Sequence, residues 1–145
     1  MTTVLDAVMT VHTVFAALWT GGTLVIAGMV IPAARRELLG EKAVSLITRR
    51  FGYLTIASVL LLLFSGGHLA GTLYTAESLT ATGRGHLVLS MVGLWFVLAI
   101  VLFVGFRRFS SSSGSSTATA ATAARPWFLV GSVVSLALLV VAGLL

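Results

Sequence analysis

The sequence predicts an all-α protein, a polytopic membrane bundle of four transmembrane helices. Of its 145 residues, 58% are hydrophobic and only 9% are charged, and the mean hydropathy is +1.09. Four apolar stretches reach the length of about 20 residues that crosses a bilayer as a helix. None of them alternates with the two-residue period of a membrane barrel. The four stretches use most of the chain, so we expect one membrane domain over residues 1–145.

The predicted spans follow the apolar runs and the breaks between them. They cover residues 4–31, 51–74, 85–106 and 126–145. The first is expected to stop near Pro32. The last is expected to begin at Pro126, since proline suits the first turn of a helix, where its missing N–H is not needed.

The connections differ in composition. Residues 33–50 are charged, and their apolar members could form a short interfacial helix. Residues 109–125 are a run of Ser, Thr, Ala and Gly, which predicts a flexible linker. Residues 75–84 are short and nearly neutral.

The net charge of +5 is explained by topology, so a nucleic-acid partner is not expected. Eight of the nine Lys and Arg residues fall in or beside the first and third connections, and only Arg84 lies in the second. Because loops rich in Lys and Arg stay in the cytoplasm, we expect both termini outside. The predicted location is the plasma membrane, with the lipid bilayer as the main contact.

Three histidines stand in three different spans: His12, His68 and His86. Counted at about 1.5 Å per residue from the arginine at the inner end of each span, they lie roughly 35, 27 and 31 Å away. Helix tilt can produce a spread of about 8 Å. The histidines are therefore predicted to share one depth, near the outer edge of the hydrocarbon.

Two interpretations of this layer are open. A single histidine in a membrane helix often makes only a hydrogen bond to a neighbouring helix. Ionisable residues inside a membrane are costly, however, and commonly mark function. The chain has no cysteine, which excludes disulfides and thiolate metal sites, whereas neutral imidazole binds iron, copper and zinc.

The favoured interpretation is a b-type haem with two histidine ligands, used for electron transfer or haem handling. His12 and His68 are the predicted ligands, with His86 as an alternative. Glycine beside a ligand would admit the porphyrin, and Arg84 is the cation available for its propionates. The candidate haem site is His12, His68, His86, Arg84, Trp19 and Gly67. A redox partner or a homo-oligomer would complete the role, and an enzyme of this kind would be a haem-dependent membrane oxidoreductase.

Two alternatives stay open. Met9 lies three residues before His12, on the same helical face, and thioether with imidazole suits copper(I). Met9, His12, His68 and His86 would then bind or transport copper. The second alternative is an accessory subunit without a cofactor, which docks onto a larger membrane complex.

The first span also resembles a known family. Its pattern of His12, six residues, Trp19, one residue, Gly21 and Gly22 is similar to the first helix of the copper resistance protein D (CopD) family. It also resembles the HemJ-type protoporphyrinogen oxidases, four-helix membrane proteins associated with haem. The resemblance implies a four-helix membrane fold with His12 as a ligand. Two features differ: no lysine follows His86, and the chain is shorter than most CopD proteins.

Overall fold

A computed structural model of the protein describes residues 2–111 and 116–145. The regular elements in these ranges are all helical. They are α1 (Thr2–Val25), a π-helical turn (Ile26–Val30), α2 (Ile31–Arg35), α3 (Glu41–Leu73), α4 (Ala76–Ala81), α5 (Gly83–Ser111) and α6 (Thr117–Leu144). Four continuous helical segments among the described residues are long and apolar enough to cross a membrane: Thr3–Arg35, Glu41–Leu73, Gly83–Ser110 and Thr117–Leu144. The predicted all-α, four-helix membrane fold is confirmed.

The first span is longer than predicted because Pro32 does not end it. Pro32 stands in the first turn of α2, where a missing N–H is tolerated. In the preceding π-helical turn each hydrogen bond spans five residues, one more than in an α-helix. The helix therefore runs on to Arg35, beyond the expected end at residue 31.

The chain reverses after α2 in a turn that satisfies the last carbonyl groups of the helix. Glu37 takes the left-handed conformation, with φ of 58°. Its N–H donates to the carbonyl of Ala34 at 3.1 Å, and the N–H of Leu38 donates to that of Ala33 at 2.9 Å. This pair of bonds defines a Schellman motif, in which glycine usually takes the left-handed position.

The predicted interfacial helix in residues 33–50 is wrong, because α3 begins at Glu41. Val44 is buried in the bundle core, and Ile47 packs against that core. Residues 41–50 are thus the first turns of a 33-residue helix, which at about 1.5 Å per residue is longer than the roughly 30 Å of a bilayer's hydrocarbon.

The predicted flexible linker is also wrong where the structure describes it. Residues 109–111 continue α5 and residues 117–125 belong to α6, while residues 112–115 lie outside the described ranges. Three alanines in this part of α6 are buried: Ala120, Ala121 and Ala124. Alanine has the highest helix propensity, and its small side chain allows α6 to pack closely.

Pro126 lies inside α6 and does not start it. The helix is instead capped by Ser116, whose hydroxyl accepts a hydrogen bond from the N–H of Thr119 at 3.2 Å. Serine is a preferred capping residue. The cap places the helix start at Thr117, nine residues before the one expected from Pro126.

The helices pack in the spatial order α3, α1, α6, α5. Helix α1 packs against both α3 and α6, and α5 packs along α6 more extensively than any other pair. Contact between α3 and α5 is slight. The bundle is therefore open along the edge between α3 and α5.

One aromatic cluster joins all four spanning helices. The ring of Phe51 in α3 lies against Gly22 of α1. Its centroid is 5.8 Å from that of Phe106 in α5, which is 5.5 Å from that of Phe128 in α6. The separation and the edge-on geometry of the second pair are those of favourable aromatic contacts.

Candidate functional site

His12 is half-buried on α1 and faces α3. Its Nδ1 lies 2.8 Å from the hydroxyl oxygen of Ser65, and that hydroxyl donates to the carbonyl of Leu61 at 2.6 Å. A hydroxyl has one proton and two lone pairs. Because the Ser65 proton goes to Leu61, its oxygen accepts from Nδ1–H of His12. The lone pair of His12 is then on Nε2, where a ligand could be bound.

Gly66 provides the space for the His12 ring. A Cβ atom at Gly66 would lie 3.2 Å from Cε1 of His12, closer than ordinary van der Waals contact. A Cβ at Gly67, the glycine predicted for the site, would meet nothing within 4 Å. The glycine that lets the imidazole approach α3 is therefore Gly66.

His68 is exposed on α3, one turn beyond Ser65. It lines a shallow groove of about 310 Å³ between α1 and α3, together with Ser65 and apolar side chains such as Val11 and Phe64. Ser65 lines the groove and also bonds His12. The structure thus brings His12 and His68 to the same end of one helix pair.

His86 is held elsewhere. Its Nε2 lies 2.7 Å from the carbonyl of Thr80 in α4, and since a carbonyl only accepts, Nε2–H donates. Helix α4 lies so close to α5 that a Cβ at Gly85 would fall 2.1 Å from the carbonyl oxygen of Ser78.

Among the described residues, no three His, Asp or Glu side chains form a group that could hold a metal ion.

His12 does not itself line the groove, and the remaining predicted residues lie away from it. Arg84 donates a hydrogen bond to the main-chain oxygen of Leu145, which ties the start of α5 to the end of α6. Met9 is exposed on α1. Trp19 is fully buried in the core, two turns from His12, and its indole Nε1 has no hydrogen-bond partner among the described residues.

Ser65 and Gly66 were absent from the predicted site. The available signal for this contact was a small polar residue and a glycine that interrupt the apolar run just before His68. Nothing in the sequence alone indicated that they face His12 of another helix.

Comparison of the chain with family models, with curated proteins and with solved structures finds no match.

Proposed function

We propose that this protein binds a b-type haem through His12 and His68 and transfers electrons at the membrane. The observation that supports this best is the pair of hydrogen bonds from His12 to Ser65 and from Ser65 to Leu61. Metal-binding histidines commonly donate their other N–H to such an outer partner, which fixes the tautomer and the ring orientation. In this chain the bonds leave Nε2 of His12 free to act as a ligand.

The residues around the groove fit a porphyrin chemically. Histidine side chains such as His12 and His68 would be suitable ligands for haem iron, and the groove wall is mostly apolar. Its volume of about 310 Å³ is at the lower end for ligand sites. Part of the macrocycle would therefore lie against lipid.

The protein groups have defined tasks in this proposal. Haem, when bound, supplies the one-electron couple. Two histidine ligands leave no coordination position for oxygen, which favours outer-sphere electron transfer. Ser65 holds the His12 ring in place, and the apolar wall keeps water away from the ligands.

We further propose that the protein lies in the plasma membrane with both termini outside. The α2–α3 turn and the ends of α3 and α5 nearest to it carry most of the basic residues, and the positive-inside rule places that end in the cytoplasm. Since the chain has no cysteine, a single introduced cysteine reports its own side. Glu77→Cys should react with an impermeant maleimide added outside intact cells, and Lys42→Cys should not; the reverse pattern would overturn this orientation.

An absorption spectrum of the purified protein, expressed with ample haem, tests the haem proposal. We expect a Soret band that shifts on reduction with dithionite, together with the sharp α band of bis-histidine haem. His12→Ala and His68→Ala should each lose the bis-histidine spectrum. His86→Ala is the matched control and should keep it.

Several outcomes would contradict the proposal. A protein that stays colourless after haem reconstitution does not bind haem. Copper without porphyrin in metal analysis would favour the copper alternative. Full retention of the spectrum in His68→Ala, with loss in His86→Ala, would reassign the second ligand.

A further inference from the structure

A second and larger groove lies on the other side of α3, along the open edge between α3 and α5. It has a volume of about 850 Å³ and is bordered at one end by the start of α6. The groove exists because α3 and α5 touch little and because Gly52 on its wall has no side chain. A Cβ at Gly52 would meet nothing within 4 Å.

The groove changes character along its length. Its mouth carries polar and charged side chains, including Arg49 and Ser45, whereas its deep end is formed by apolar ones such as Val59 and Leu60. Arg49 makes no ion pair with another described residue, and the groove's other charged residue, Glu41, lies two helical turns away from it. A ligand matching this wall has an anionic group at one end and an apolar tail.

A buried hydroxyl marks the boundary between the two parts. Thr55 lines the groove and is 8% exposed, yet its Oγ1 has no hydrogen-bond partner among the described residues. A buried hydroxyl is normally satisfied, and Oγ1 has almost no exposed surface of its own. Rotation of the Thr55 side chain would turn the hydroxyl into the groove, where a ligand acceptor would satisfy it. Thr55 lies about 9 Å deeper than Arg49 at the rise of an α-helix.

We propose that the groove between α3 and α5 binds one anionic phospholipid. Its phosphate would lie at Arg49, an ester carbonyl at the Thr55 hydroxyl, and an acyl chain along Val59 and Leu60. This is the order in which a phospholipid carries these groups from head to tail. The Arg49 end of the bundle also carries most of the basic residues, and basic residues at a membrane surface attract anionic lipids.

Native mass spectrometry of the full-length, delipidated protein tests the proposal with two lipids of identical acyl chains. Phosphatidylglycerol should bind as a single adduct severalfold more tightly than phosphatidylcholine. Both lipids carry an anionic phosphate, but the choline cation of phosphatidylcholine offsets that charge and is repelled by the Arg49 guanidinium. Arg49→Gln should remove this preference. Its matched control, Arg50→Gln, changes the neighbouring exposed arginine, which does not line the groove, and should keep the preference.

Two further variants separate the groove from the general membrane surface. Gly52→Leu should fill the groove and abolish the single adduct, with an unchanged circular dichroism spectrum. Gly93→Leu, at an equally open position of α5 outside the groove, should leave the adduct intact. Thr55→Val should weaken both lipids equally, by about threefold to tenfold.

Three results would overturn the proposal. Equal losses in Arg49→Gln and Arg50→Gln would show diffuse attraction without a site. Wild-type binding by Gly52→Leu would place the lipid elsewhere. A lipid-free dimer that Gly52→Leu dissociates would show that a second copy of the chain occupies the groove.

Discussion

Nδ1 of His12 and Oγ of Ser65 lie 2.8 Å apart, and this bond links the first spanning helix to the second. Hydrogen bonds between membrane helices average only about 0.6 kcal/mol. The bond therefore adds little to the stability of the bundle. Its main effect is on the direction of the His12 lone pair.

Ser65→Ala should separate these two effects. Loss of an outer hydrogen-bond partner typically lowers the affinity of a metal site by about 10- to 100-fold, so haem affinity should fall by this factor while the melting temperature changes little. Ser90→Ala is the control, because the Ser90 hydroxyl bonds only the carbonyl of His86 in its own helix. Haem titration and thermal melting in detergent measure both quantities. Equal haem affinity in the two variants would contradict the role given to Ser65.

Gly66→Ala and Gly67→Ala form a matched pair of neighbours. A methyl group at Gly66 would press on Cε1 of His12 at 3.2 Å, whereas one at Gly67 meets nothing. We expect the NMR signal of the His12 Cε1–H group to shift only in Gly66→Ala, in haem-free protein as well. Unshifted signals in Gly66→Ala would show that His12 does not lie against α3.

Gly21 and Gly22 are adjacent in sequence but should differ in their tolerance of a side chain. A Cβ at Gly22 would fall 2.5 Å from the Phe51 ring, and one at Gly21 would be free of contacts. Overpacking of this kind costs about 1–3 kcal/mol, so Gly22→Ala should lower the melting temperature. Gly21→Ala should match or exceed the wild type, because alanine favours the helix by roughly 0.5–1 kcal/mol over glycine. Equal destabilisation of both variants would argue against the α1–α3 contact.

Glu37→Gly should stabilise the protein. Glu37 has φ of 58°, a conformation that costs a residue with a Cβ about 1 kcal/mol and glycine much less. Lys42→Gly, a few residues on in the first turn of α3, should lower stability instead. Urea or thermal unfolding in detergent compares the two. A loss of stability in Glu37→Gly would mean that the turn is not the Schellman motif described.

The four spans were predictable because lipid requires long apolar helices, and the sequence contains four such runs. Their ends were not, because the helices continue beyond the hydrocarbon, where hydropathy no longer marks them. Residues 117–125 illustrate this: their polar and small side chains indicate a linker, yet alanine is the best helix former and Ala121 and Ala124 are fully buried.

The candidate site was predictable only in part. His12 and His68 stood out as imidazoles in apolar spans. The partners of His12 depend on how α1 is rotated and shifted against α3, and that is set by contacts such as Gly22 with Phe51. The sequence does not distinguish Gly66 from Gly67, because it gives no rotation of α3 about its own axis.

The spatial order α3, α1, α6, α5 has a consequence for how freely the chain can vary. The first span is the most enclosed of the four and the third is the least. A complete substitution scan should therefore find the largest share of positions restricted in side-chain size in the first span. The outer faces of α5 should accept almost any apolar residue, with side-chain size restricted again at close approaches such as Gly105 against Phe128.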